Sequence, residues 1–136
     1  MNPLEESAHL QVDWSKLEAL AGKGLGVVPV AVQNADTREV ILVAYVNQQA
    51  LDESIRTKTA TFWSTSRDEL WVKGKTSGDT FELLEIRVNC EQNSMLYVVL
   101  PRRQNICHTQ NQQGKARNCF YRRLDMATMQ LVNLDP

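Results

Sequence analysis

What most constrains this chain is a run of short, β-rich segments set apart by turn signals, with one helix-like segment among them. Val27–Val32 and Val40–Val46 are rich in β-branched residues, and the polar stretch Asn34–Glu39 between them predicts a hairpin. Ala60–Ser64, Leu70–Lys75, Phe81–Cys90 and Met95–Leu100 read as further strands, and Phe120–Leu124 as a last one. Thr76–Asp79 (TSGD) is a turn. Asn47 is placed to cap a helix from Gln48 to about Thr57, with Ala50, Leu51 and Ile55 as its apolar stripe. A shorter helix is expected from Trp14 to Ala21, capped by Asp13, with Trp14, Leu17, Leu20 and Ala21 on one face. Gly22, Gly24 and Gly26 then break the chain. Asn105–Asn118 reads as a long polar loop, and the tail from Asp125 has only weak pattern. A parallel α/β sheet needs repeated crossover helices. The expected fold is therefore α+β: a mainly antiparallel sheet or half-open β roll with one or two short helices.

The 136 residues fit a single domain, 1–136, and 43% hydrophobic against 23% charged residues is an ordinary globular balance. Fifteen Lys and Arg against sixteen Asp and Glu leave a net charge of −1. Nucleic acids and acidic membranes call for a basic surplus, so neither is expected as a partner. No apolar run approaches ~18 residues, the length of a membrane span. The first residues, MNPLEESAHLQVDW, lack the basic start and apolar block of a signal peptide, so a cytoplasmic location is expected. Three cysteines are too few, and odd in number, for a disulfide scaffold.

They are enough for a metal with one open position. Cysteine is often simply buried, and taken alone each of the three reads that way. Their neighbours shift the reading: Cys90 sits in NCEQN, Cys107 in ICHT and Cys119 in NCFYR, none a plain apolar run. The spacings are not those of a zinc finger. Three protein ligands plus water make a catalytic zinc site, whereas four ligands close a structural one. Zinc lowers the pKa of its water towards ~7. His108, next to Cys107, can then carry a proton without being a ligand; its bland reading is a solvated loop histidine.

Asn89, Glu91 and Asn93 alternate around Cys90. In an extended chain they share one face, a ladder of oxygen donors suited to Mg2+. They carry one formal charge among them, and from the residues alone a polar turn is the favoured reading.

VVPVAVQNADTREVILVAYVN, FWSTSRDELWVKGKTSGD, EIRVNCEQNSMLYVV and CHT…CFYR stand in the order and context of one family. Over about Val27 to Arg123 the chain resembles phosphoribosyl-AMP cyclohydrolase, of histidine biosynthesis. The resemblance implies a cytoplasmic homodimer that uses zinc and magnesium to open the adenine ring of phosphoribosyl-AMP between N1 and C6. It implies that Cys90, Cys107 and Cys119 ligate Zn2+, one cysteine and the other two coming from different subunits. It also implies that Asn89, Glu91 and Asn93 occupy the Mg2+ positions. The substrate has two phosphates. Arg67, Lys73, Lys75, Ser64, Ser66, Thr76, Ser77 and the amide of Gly78 are candidates to hold them. For Lys75 the favoured reading is part of a solvated sheet face. Trp63 and Trp71 can stack on a purine or belong to the core.

Three departures from the family pattern stand out. Two of the three usual acidic residues around the first cysteine are Asn here. Thr65 stands where many relatives have arginine. Gln110 replaces a usual glycine, and NQQGKARN lengthens the segment before Cys119, so the 108–118 loop must fold aside or reshape the pocket. Many relatives carry a second, pyrophosphohydrolase domain, and a chain ending at Pro136 is expected to lack it. Two other readings remain open: a zinc-dependent purine deaminase-like relative, and a non-catalytic, zinc-stapled dimer that binds nucleotide.

Overall fold

In the computed structural model, which describes residues 2–12, 14, 16–22, 24, 26–103 and 106–136, two hairpins lie side by side. β1 (Val28–Asn34) and β2 (Val40–Val46) pair antiparallel, as do β5 (Phe81–Val88) and β6 (Met95–Pro101). A parallel pairing of β1 with β6 joins them into one sheet of order β2-β1-β6-β5. Between the hairpins run α3 (Gln48–Thr57), β3 (Thr61–Ser64) and β4 (Glu69–Val72). Two single-turn or two-turn helices, α1 (Pro3–Glu6) and α2 (Lys16–Gly22), precede the sheet, and the hairpin of β7 (Arg122–Asp125) with β8 (Gln130–Asn133) follows it.

The result is α+β and mainly antiparallel, with three short helices rather than one or two among the described residues. The segment after α3 runs beside β5 at the sheet's edge. Ala60 N–H donates to Phe81 O at 2.9 Å and Leu83 N–H to Lys58 O at 2.9 Å. This leads the chain from α3 along β5 before it enters the β3–β4 hairpin.

Period-two burial along β1 sends Val30 and Val32 inward to meet Tyr97, Val99, Phe62 and Phe81. Phe62 stacks near Tyr97 at 6.0 Å and meets Trp71 at 5.4 Å. α3 starts where Asn47 Oδ1 accepts from Ala50 N–H at 2.8 Å. The stripe expected on α3 is corrected. Ala50 and Ser54 face the core, Leu51 is half-buried, and Ile55 is exposed. The reason is a polar staple: Ser54 Oγ donates to Ala50 O at 2.8 Å and accepts from Thr61 N–H at 2.9 Å, fixing α3 onto β3.

Other boundaries moved. Trp14 lies before α2 and is 86% exposed, and Ala21 is exposed, so Leu20 is the buried residue of that expected face. A helix of two turns offers little surface to bury. Asp13, read as its cap, the side chain of Leu17, and Asn105, read as the start of the long loop, lie outside the described residues. β5 ends at Val88, not Cys90, because the chain turns there: Asn89 N–H donates to Ser94 O at 3.2 Å and Gln92 N–H to Asn89 O at 3.0 Å. No helix among the described residues is long and apolar enough to cross a membrane.

Candidate active site

The segment between Cys107 and Cys119, expected as a plain loop, folds back on itself. Arg117 N–H donates to Thr109 O at 3.1 Å, Gln110 bridges Ala116, and Asn111 N–H donates to Lys115 O at 2.8 Å. Asn111 Oδ1 closes the tip by accepting from Gln113 and Lys115 N–H, both at 2.9 Å. Carried two residues outward, this register sets Cys107 opposite Cys119. Cys119 N–H donates to Ile41 O at 3.2 Å and Asn118 Nδ2 to Val40 O at 3.1 Å, which pins that side to β2. Thr109 is buried, and its hydroxyl donates to Cys107 Sγ at 3.3 Å.

Cys107 and Cys119 line the same pocket. Cys119 is exposed as a residue, but its sulfur faces a pocket. Burial of that sulfur, then the neighbouring Cys107, push the Cys119 thiol up to about 12. Burial also lowers the pKa of Lys73 across the pocket, opposed by Cys119, Asp79 and Cys107. Two thiols side by side suit two positions of a tetrahedral zinc site, and a bound cation would draw both to thiolates. Cys90 is exposed in the β5–β6 turn. Among the described residues no three Cys, His, Asp or Glu side chains of this one chain gather to hold a metal.

Leu42, Val43, Trp71, Lys73, Gly74, Ser77, Asp79, Ile106, Cys107, His108 and Cys119 line this pocket of about 400 Å³. A second cavity of about 600 Å³, lined in part by Arg67, Trp71, Lys75, Thr76 and Ser77, shares Trp71, Gly74 and Ser77 with it. The two adjoin at these residues as one groove: the cysteines, His108 and Lys73 line one part, and Arg67, Lys75 and Thr76 the other. Gly74 makes that shape possible. It sits at φ +74, and a Cβ there would stand 2.2 Å from Asp79 O.

Of the residues singled out in the sequence, Arg67, Trp71, Lys73, Thr76 and Ser77 line the groove. Trp63, Ser64, Ser66 and Gly78 lie outside these linings. Trp63 packs against the core. Ser64 Oγ accepts from Arg67 N–H at 3.3 Å in the β3–β4 turn, with Ser66 Oγ 3.4 Å away. Gly78 N–H donates to Gly74 O at 2.7 Å. Thr65 is buried.

Asn89, Glu91 and Asn93 do converge, through a turn rather than an extended ladder. Asn89 Oδ1 accepts from the N–H groups of Asn93 and Ser94 at 2.9 and 3.0 Å. Asn89 Nδ2 donates to Asn93 Oδ1 at 2.7 Å, and Asn93 Nδ2 to Glu91 Oε2 at 3.3 Å. Both amide oxygens are thus engaged inside the turn, which fits a ready-made Mg2+ cage poorly.

Sequence reasoning missed Asp79, which it absorbed into the TSGD turn. It also missed Arg103, whose guanidinium donates to Ser77 O at 2.8 Å and braces that turn from beyond β6. Glu5, which meets His108, carried no signal at all in the sequence.

The sequence profile of phosphoribosyl-AMP cyclohydrolase matches residues 42–121. A histidine biosynthesis bifunctional protein of Thermus thermophilus is 48% identical over 99 residues, 73% of this chain and 44% of that protein. The phosphoribosyl-AMP cyclohydrolase of Archaeoglobus fulgidus is 42% identical over 100 residues, 74% of this chain and 87% of that one. That of Halobacterium salinarum is 41% identical over 113 residues, 83% of each. The chain therefore spans under half of the bifunctional relative and most of the other two. These matches define the class first: a hydrolytic enzyme domain of histidine biosynthesis. More narrowly, the chain belongs to the phosphoribosyl-AMP cyclohydrolase family.

Proposed function

We propose that this protein hydrolyses phosphoribosyl-AMP at the N1–C6 bond as a zinc-dependent, cytoplasmic homodimer. The observation that carries the reading is the pairing of Cys107 with Cys119 beside His108, in one part of a groove whose other part carries Arg67 and Lys75. Cys90 of a second copy supplies the third thiolate, which accounts for its place on the surface of its own chain. Cys107, Cys119 and the second copy's cysteine would hold the zinc, which when bound would supply an acidified water.

The chain's own groups do the rest. Lys73, Arg67 and the hydroxyls of Thr76 and Ser77 hold the two phosphates. Trp71, shared by both cavities, offers a face to the purine. N1 carries the second ribosyl group, so the ring is cationic and C6 electrophilic. Water adds at C6 as His108 accepts its proton, and the C6–N1 bond then breaks with the electron pair going to N1. Magnesium is the weaker half of the reading: Glu91 supplies the one charge, and the two amide oxygens must leave their turn bonds to join it.

Rescue of a histidine auxotroph lacking only this step, followed by direct assay on phosphoribosyl-AMP, is the test. Failure of the zinc-loaded protein in both refutes the activity. Sedimentation of an active, zinc-free monomer refutes the shared metal site.

A further inference from the structure

His108 has a neighbour at each ring nitrogen. Nδ1 lies 4.0 Å from Cys107 Sγ, and Nε2 lies 2.8 Å from Glu5 Oε1. Glu5 is 103 residues away in sequence and lies outside the 42–121 stretch that matches the family.

The segment that carries it is fastened in place. Tyr121 Oη donates to Glu5 O at 2.6 Å. Arg122 donates to Leu4 O at 2.8 Å and to Ser7 O at 3.1 Å. Arg117, 3% exposed, donates to Glu6 Oε1 at 2.7 Å, and Leu131 N–H donates to Ala8 O at 2.8 Å. Both guanidinium groups also lie over the Tyr121 ring, at 4.5 and 5.2 Å. The Glu5 backbone is held from two sides, so its carboxylate is delivered to one spot.

The imidazole gains most from that delivery, because the His108 side chain is 80% exposed. An exposed ring samples several rotamers and both neutral tautomers. A carboxylate only accepts hydrogen bonds, so a ring bound to it carries its proton on the bound nitrogen. We propose that Glu5 is a positioning residue for His108: it holds the ring over the pocket and keeps the proton on Nε2. Nδ1, on the Cys107 side, is then the nitrogen with a free lone pair, ready to accept a proton from water at the thiol end of the groove. The carboxylate comes from a segment that precedes the family-matched region, so a histidine within that region is positioned from outside it.

The catalytic half of the test rests on the cyclohydrolase reading; the ring's tautomer does not. Wild type, Glu5→Ala and Glu5→Gln are prepared zinc-loaded as full chains. For each, kcat and KM on phosphoribosyl-AMP, zinc content, and the imidazole 15N signals of His108 are measured. Glu5→Ala is expected to lower kcat by about tenfold or more, the usual cost of losing an outer carboxylate partner, with KM and zinc content unchanged. Its His108 signals should move from the Nε2–H form to a mixture. Glu5→Gln keeps an accepting oxygen and should restore most of the rate and the Nε2–H signal. A wild-type ring protonated on Nδ1, or a Glu5→Ala enzyme with unchanged kcat, overturns the proposal. If the wild type has no cyclohydrolase activity, the function reading falls, and the imidazole signals alone decide for or against the Glu5 contact.

Discussion

Arg117 and Glu6 tie the two ends of the site together. Arg117 lies in the folded-back segment between the cysteines, and Glu6 lies in the segment that reaches His108. Asp135 O also accepts from Arg117 Nε at 2.8 Å, so one buried guanidinium joins the N-terminal segment, the segment between the cysteines and the C-terminal tail. The segment between the cysteines is therefore not a loose excursion. It is the part of the chain on which both tails dock.

This ion pair has a pH signature. The bond from Arg117 holds the Glu6 carboxyl below its ordinary value of 4.5, against the opposing effect of burial. A depressed acid stabilises the fold above its unfolded pKa and loses that contribution as pH falls through the folded one. We expect acidification below about 4.5 to release the N-terminal segment, seen as a loss of amide protection, relative to intrinsic exchange, at Glu5–Ser7. In Glu6→Gln, protection there should already be low at pH 7 and should change little on acidification.

The cysteines and the histidine should separate by metal content. Cys119→Ser is expected to lose zinc and activity together, because a hydroxyl is a far poorer zinc ligand than a thiolate. His108→Ala should keep its zinc and lose roughly 10²–10⁴-fold in kcat, the usual worth of a placed acid–base group. Metal analysis beside steady-state kinetics checks both. Loss of zinc in His108→Ala would make the histidine a ligand.

Gly74 and Gly114 give a paired test of the groove. Both have positive φ, +74 and +76, but a Cβ at Gly74 meets Asp79 O at 2.2 Å while one at Gly114 meets nothing within 4 Å. Gly114→Ala should cost only the backbone penalty, about 1–2 kcal/mol. Gly74→Ala must also push the 74–79 turn away from the pocket, so it should cost more and raise KM. Urea midpoints and KM values of the two variants test the contrast.

Local chemistry made much of this legible in advance. Asn47 announced α3 because an amide side chain can cap the next turn, and the valines of β1 and β2 announced their hairpin. The β1–β6 pairing was not legible, because nothing local in Val28–Asn34 names a partner some sixty residues on. β8 was missed because Gln130–Asn133 is too short to show a period. The cysteines were marked by their neighbours. Their juxtaposition depends on backbone bonds inside a polar segment that looks like any loop. Glu5 was invisible for the same reason as the β1–β6 pairing: its partner is set by the fold.

The last prediction concerns the Asn89–Asn93 turn. Three carboxylates would place about three negative charges around a cation, and ligand charge count tunes the affinity of hard cations over orders of magnitude. Here Glu91 brings one, and Asn89 Nδ2 bonds Asn93 Oδ1 at 2.7 Å where a cation would sit between oxygens. Changing both asparagines to aspartate keeps the backbone turn, because a carboxylate oxygen in place of Asn89 Oδ1 can still accept from the same two N–H groups. It also replaces an attractive amide pair with two facing carboxylates, whose repulsion a divalent cation relieves. Asn89→Asp with Asn93→Asp should therefore lower the half-saturating Mg2+ concentration for cyclohydrolase activity, leave zinc content unchanged, and lower stability in magnesium-free buffer. The check is a magnesium titration of activity and of the urea midpoint in both proteins. A wild type fully active in chelator-treated buffer with zinc retained, and a double variant without any magnesium response, would show that the turn binds no cation and serves only to reverse the chain between β5 and β6.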